Sequence, residues 1–262
     1  MESPISVLST ASSSKGKKVT NRFDRYIRII FHKLLPGQVI KGDAVVWLHN
    51  QIVVFIERIC SEAFRYMQTS KPCRVTLMER DMELGIFQVL PHDMREVAST
   101  FLTHTIERYD KASSRSKTKR AGLYVSTGRC ELYVRTFIAG HQIRRKVFIM
   151  VASCIEYLLT EVFHTVKTAL DTSDAGEKIK ATTGVDEIVV ITACEGDRGL
   201  ATLFGLSYRS PVASLASMAS LASLASRGTV DTPESVADEP LVVDGDGNDD
   251  MMEDDNSSTH SG

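Results

Sequence analysis

Cysteine is scarce and unpaired: Cys60, Cys73, Cys130, Cys154 and Cys194 are odd in number, and no two stand in a Cys-x-x-Cys pair. That excludes a disulfide framework and a zinc knuckle, and leaves the thiols as small core hydrophobes. Long apolar runs are missing too. No window approaches eighteen uninterrupted apolar residues, and the Ser-rich start from Met1 to Ala11 lacks both the positive leader and the apolar stretch of a secretory signal. The chain is therefore expected to be intracellular and to engage no membrane. No Gly-rich phosphate loop, His-Glu-x-x-His or Gly-x-Ser-x-Gly occurs, and the seven histidines are scattered. His49 and His164 fall in helical stretches beside apolar residues, where packing or surface roles outweigh catalysis. No enzyme, small-molecule substrate, cofactor or metal is expected. Asp244-x-Asp246-x-Asn248-x-Asp250 begins like a calcium loop, but Asp249 stands at the sixth position, where such loops need Gly, and Asp255 at the twelfth, where they need Glu. Asn256-Ser257-Ser258 fits a glycosylation acceptor by chance, without a secretory route.

What the chain has is a charge asymmetry. Its 262 residues carry 31 Lys+Arg and 33 Asp+Glu, a net charge of −2. From Pro211 to Gly262, however, there is one basic residue, Arg227, against eleven acidic ones. Residues 1–210 consequently hold an excess of eight positive charges. A basic body with an acidic tail points to a polyanion, with nucleic acid ahead of anionic lipid because no segment reads as a basic amphipathic membrane helix.

The apolar spacing predicts helices. Residues 1–21 are Ser/Thr/Lys-rich without an apolar period and are expected to be a disordered tail. Phe23, Ile27, Ile30, Phe31 and Leu34 recur at helical spacing, with Arg25, Arg28 and His32 on another face, and Pro36-Gly37 ends this short helix. A helix of about seven turns is predicted from Asp43, a candidate N-cap, with Val45, Leu48, Ile52, Phe55, Ile59, Ala63 and Met67 on one stripe. On the same helix Arg58, Glu62 and Arg65 are spaced as an ion-pair face, and Trp47 reads as packing. After a break at residues 71–74 come a shorter helix near Leu77–Val89 and one opened by Pro91, with Met94, Val97, Ala98 and Phe101 inward. Residues 111–120 contain five basic residues and read as a solvated linker.

The plan then repeats. Thr127 can cap a short helix through Phe137, Arg144 and Arg145 stand at a loop, and a long apolar helix runs from Lys146 to Leu170. A polar loop at 171–184 follows, then a third short element at Val185–Cys194, with strand as the minor alternative, and a last turn at Arg198–Phe204. Each long helix is too apolar on one side to stand alone, so the two halves are expected to cross them and bury both stripes. Laid antiparallel, the pair sets the first loop of each half beside the second loop of the other. All four loops are basic: Lys71 and Arg74 would meet Arg144, Arg145 and Lys146, and Lys33 and Lys41 would meet Lys178 and Lys180. Such separated cationic points suit a duplex backbone.

The residues themselves carry a resemblance. Tyr26, Pro36, Ile40, Ala44, Glu57-Arg58-Ile59, Glu62-Ala63, Arg65, Thr76, Arg80, Leu90-Pro91, Ala98 and Tyr109 make the first half similar to histone 2B. Arg120-Ala121-Gly122-Leu123, Gly128-Arg129, Arg135, Ala152, Glu156-Tyr157-Leu158 and Glu161 make the second similar to histone 2A. In one chain and in this order they resemble the fused histone doublets of certain giant DNA viruses. The resemblance implies an all-α chain of two histone folds in an intramolecular handshake. Its expected parts are a tail at 1–21, a 2B-like fold with a C-terminal helix at 22–112, a linker at 113–120, a 2A-like fold at 121–206, and a low-complexity, acidic, disordered tail at 207–262.

It further implies that the chain packages double-stranded DNA in a nucleosome-like particle, together with tetramer-forming histones or a second viral doublet, in chromatin, a viral factory or a virion. The phosphate and minor-groove contacts of the family fall on Arg74, Thr76, Arg129 and Arg135. Its first-loop minor-groove arginine falls on Gln142, with Arg144 and Arg145 near enough to substitute. The family's acidic docking patch is kept at Asp93, Glu156, Glu161 and Asp197 and lost at Phe101, His164, Arg198 and Gly199, so arginine-bearing partners are expected to bind weakly. The docking segment after Gly205 is not matched in residues 206–227. Two other functions stay open: a histone-fold transcription or replication subunit, and a decoy or chaperone whose acidic tail engages histones. Residues 212–226 are five Val/Leu/Met-Ala-Ser triplets with no sustained apolar face, and Asp231–Asp255 either compete for the basic edge or for another histone's tail, or only solubilise the chain.

Overall fold

A computed structural model describes residues 22–70, 74–172 and 184–209, and these are mostly helical. The first half contributes α1 (Asp24–Leu34), α2 (Gly42–Thr69), β1 (Thr76–Leu77), α3 (Glu79–Val89) and α4 (His92–Lys111). The second contributes α5 (Lys117–Ala121), α6 (Thr127–Phe137), β2 (Gln142–Ile143), α7 (Arg145–Thr172), α8 (Glu187–Gly196) and α9 (Arg198–Phe204). The expected tail at 1–21 and, of the one expected at 207–262, residues 210–262 lie outside the described residues, as do Lys71, Lys178 and Lys180; residues 207–209 are described, and Arg209 is tied to Glu195 instead of starting a free tail.

The apolar spacing explains α1 and α2. Phe23, Ile27, Ile30 and Phe31 are buried from α1, and every residue of the expected α2 stripe is buried. Each Val, Leu, Ile, Phe or Met side chain so removed from water contributes roughly 1.5–3 kcal/mol. Asp43 is not the N-cap. Lys41 occupies that position without a side-chain cap, and the Asp43 carboxylate accepts the Ala44 amide at 2.8 Å inside the first turn. Likewise α6 is capped by Ser126, whose hydroxyl accepts from the Arg129 amide, and Thr127 is its first helical residue. Residues 187–196 are helical, not a strand, with Asp186 as their cap.

The solvated linker expected at 111–120 is instead partly helix. Ser116 caps α5, Gly122 ends it in the left-handed region at φ 69°, and α5 packs on α4. Arg120 secures that contact, donating from Nε to the Tyr109 carbonyl at 2.5 Å with its guanidinium over the Tyr109 ring.

Two parallel pairings close the ends. Thr76 and Leu77 pair with Gln142 and Ile143, and Ile40 bridges to Val185, so the first loop of each half lies against the second loop of the other. The long helices do not bury their stripes chiefly on one another. The short helices bridge the halves instead: α1 and α3 pack on α7 as well as on α2, and α6 and α8 pack on α2 as well as on α7. Phe31 meets Phe163 edge-on at 5.3 Å, and Phe23 stacks on Tyr133 at the same distance. With α4 added as a further cover, α7 is buried all round from Val147 to Leu159. It is long and apolar enough to span a bilayer by composition, yet that stretch is core. On α4, Val97 points outward, and Leu102 and Thr105 join Met94 and Ala98 inside. One apolar core draws on both halves.

Candidate nucleic-acid interface

The packing of short helices across both halves sets cations at three positions. At one end lies the β1–β2 pair, where the Arg144 amide donates to the Leu77 carbonyl at 3.1 Å and the Thr76 hydroxyl donates to the Gln142 side chain at 3.2 Å. Arg144 and Arg145 extend from this pair, exposed, and their side chains make no ion pair among the described residues. The opposite end is the Ile40–Val185 bridge, made by hydrogen bonds from the Val185 amide to the Val39 carbonyl at 2.7 Å and from the Lys41 amide to the Val185 carbonyl at 2.9 Å. There Arg28 donates to the Ile40 carbonyl at 3.1 Å, and Lys41 sits 3.3 Å from Asp186.

Between the ends, the start of α1 meets α6. Tyr133 stacks on Phe23, and its hydroxyl is pushed up by burial, with opposing pulls from the nearby Arg129 and Arg22. His49 closes the cluster against both rings, its imidazole pushed down by burial and by Arg22. Arg25, one turn along α1, is exposed. Arg22 belongs to this cluster, paired with Asp24 at 3.0 Å. Sequence reasoning missed it because it sits next to a stretch without apolar period, where nothing marks one cation above another.

Several expected contact residues are engaged by the protein itself. Arg74 is held by Asp81 and Ser70. Arg135 pairs with Glu131 at 2.8 Å, over the Phe148 ring, and Lys146 reaches Asp110 of α4 at 2.9 Å. Lys33 does not join Lys41. It turns to the Tyr124 ring, 4.7 Å from its centroid, and lines a groove of about 1180 Å³ between α4 and the start of the second half, with Phe101, His104, Arg108 and Glu156. The reason is geometric: Lys33 lies in the last turn of α1, and α1 packs on α7, which carries Glu156 beside it.

The expected acidic patch divides. Asp93, Glu161 and Asp197 come together: the two carboxylate oxygens of Asp93 and one of Asp197 crowd the same side of Gly199, and Asp197 raises the Glu161 carboxyl, which burial has already pushed up. Between them Tyr157 donates to the Met94 carbonyl at 3.3 Å. Glu156 is not part of that surface. It is 8% exposed, and one oxygen accepts the Tyr124 and Val125 amides at 2.6 and 3.1 Å. Burial is the stronger effect and raises its carboxyl despite these bonds. Asp197 also caps α9 through the Leu200 amide. Arg58 departs from the expected ion-pair face and donates to the Leu203 carbonyl at 2.7 Å, leaving Arg65 paired with Glu62.

Among the described residues no group of His, Cys, Asp or Glu side chains could hold a metal ion. No protein-family model and no curated protein matches this chain.

Proposed function

We propose that this chain is an architectural DNA-packaging protein: two histone folds closed on one another in an intramolecular handshake, binding double-stranded DNA along a cationic edge. In this reading it wraps DNA with a tetramer-forming histone pair or a second doublet, catalyses no reaction, and works in chromatin, a viral factory or a virion. The observation that carries the reading is the reciprocal pairing of loops, Thr76–Leu77 with Gln142–Ile143 and Ile40 with Val185. That pairing separates Arg144 and Arg145 from Arg28 and Lys41 by about the 42 Å length of a 28-residue helix, with Arg22, Arg25 and Arg129 between. Spaced cations of this kind suit phosphates at separated points along a duplex and release counterions without reading bases. Backbone binding with DNA deformation is the mechanism by which histone octamers act in general.

The test is salt-dialysis reconstitution with a tetramer-forming histone pair on long DNA, followed by nuclease digestion. A discrete protected fragment is expected. Salt-sensitive binding without one would leave a DNA-binding subunit that does not wrap, and binding indifferent to salt would overturn the DNA reading itself. One observation favours the non-wrapping alternative: Arg74, Arg135, Lys146 and Lys41 each face a carboxylate, so fewer cations are available than the loops promise.

A further inference from the structure

The cationic edge and the acids that follow the fold carry opposite charge within one chain. The last described residue, Arg209, is tied back to the end of α8: its amide donates to the Glu195 carbonyl at 2.8 Å and its guanidinium pairs with Glu195 at 3.2 Å. Phe204 packs on Trp47 near the start of α2, and Arg58 holds the Leu203 carbonyl, so the chain leaves the folded body beside α2 and α8. Fifty-three residues follow, and all eleven of their acids lie between Asp231 and Asp255. From Arg209 to Asp231 the chain can span at most roughly 75 Å. The two ends of α2 are about 42 Å apart, so every cationic position is within reach.

On that edge Arg25, Arg144 and Arg145 are exposed, and their side chains make no ion pair among the described residues. We propose that residues 231–255 dock on these arginines of their own chain, occupying the phosphate positions until DNA displaces them. The inference rests on the reading of this edge as a DNA-binding surface and adds its regulation: affinity is set by exchange of one polyanion for another. Tethering makes the tail's encounter intramolecular, so individually weak carboxylate contacts compete effectively with DNA in free solution. The paired cations Arg74, Arg135, Lys146 and Lys41 are poorer targets, because each already faces a carboxylate.

The experiment uses the full chain and a full-length variant in which all eleven acids are changed to Asn or Gln. A labelled peptide of residues 231–255 is titrated onto each without DNA, and a DNA duplex is titrated separately at low salt. The neutralised variant is expected to bind the peptide at least about tenfold more tightly than the full chain, whose site is filled, and to bind DNA about tenfold more tightly. Adding Arg25→Ala, Arg144→Ala and Arg145→Ala to the neutralised variant is expected to abolish most peptide binding. A charge-matched set at exposed positions elsewhere, Arg115→Ala, Lys167→Ala and Arg198→Ala, is expected to leave it. Equal peptide binding by full chain and neutralised variant, or equal loss in the two triple variants, would overturn the docking. Peptide binding of the expected pattern with no DNA binding would uphold the docking and overturn the DNA reading instead.

Discussion

Arg74 and Asp81 form a pair that ties the second loop of the first half to the helix after it. Arg74 Nη2 donates to Asp81 Oδ1 at 2.5 Å, Asp81 Oδ2 accepts the Met78 amide at 3.0 Å, and the aspartate is 1% exposed. A buried carboxylate with both oxygens satisfied in this way is costly to break from one side, because its partners lose their acceptor. Asp81→Ala is expected to lower stability by about 3 kcal/mol, read as a fall in the denaturant midpoint with unchanged slope. Arg74→Ala is expected to lose stability as well, and to lower DNA affinity less than substitutions at Arg144 and Arg145.

Those two arginines supply the clearest test of the edge. The double variant Arg144→Ala, Arg145→Ala is expected to reduce duplex affinity about tenfold and to lower the salt slope by about two. Thermal unfolding should stay within about 0.5 kcal/mol of the parent, since neither side chain holds the fold. An unchanged salt slope would exclude both from phosphate contact.

Glu156 separates stability from surface charge. Its carboxyl is raised above the ordinary 4.5, first by burial, with the Tyr124 and Val125 amides pulling the other way. The unfolded chain therefore gives up this proton first. The group's favourable contribution is complete below the ordinary value and is lost as pH rises through the raised one. Glu156→Gln keeps an oxygen acceptor without a buried charge, so it is expected to flatten the pH dependence of stability above pH 4.5 at little cost near neutrality. Glu156→Ala strands two amides and is expected to cost about 2 kcal/mol. Denaturant titrations of all three chains across pH check both statements.

Gly85 lets α3 lie against α2. A Cβ there would stand 2.7 Å from the Ile59 carbonyl oxygen, 2.8 Å from the Ala63 amide nitrogen and 2.9 Å from the Ala63 Cβ. Two of these neighbours are backbone and cannot rotate away. Gly85→Ala is expected to destabilise by about 3 kcal/mol, measured by chemical unfolding, although alanine is the better helix former elsewhere.

The inward faces of α1 and α2 were legible in the chain, because apolar residues every three to four positions mark one side for burial, whereas α7 is buried all round over Val147–Leu159 and Val97 of α4 faces out. The α2 stripe from Val45 to Met67 is buried as its spacing requires, α1 stops just before Pro36 and Gly37, and α2 stops at Thr69. The basic loops were legible as composition. Local signals failed where a cap or a turn had competitors: Ser126 took the role expected of Thr127, and residues 117–121 coil because Ser116 and Gly122 bracket them and α4 supports them.

Sequence alone thus determined the long helices, the buried stripes of α1 and α2 and how charge is divided between body and tail, since these follow from local spacing and counting. Only the tertiary structure decided which charges remain available. Lys146 finds Asp110 at a separation of 36 residues, and Lys41 finds Asp186 across 145. Glu156 turns inward to two amides while Asp93, Glu161 and Asp197 gather around Gly199. A side chain's partner is set by what packing brings within about 4 Å, and no periodicity along the chain records that distance.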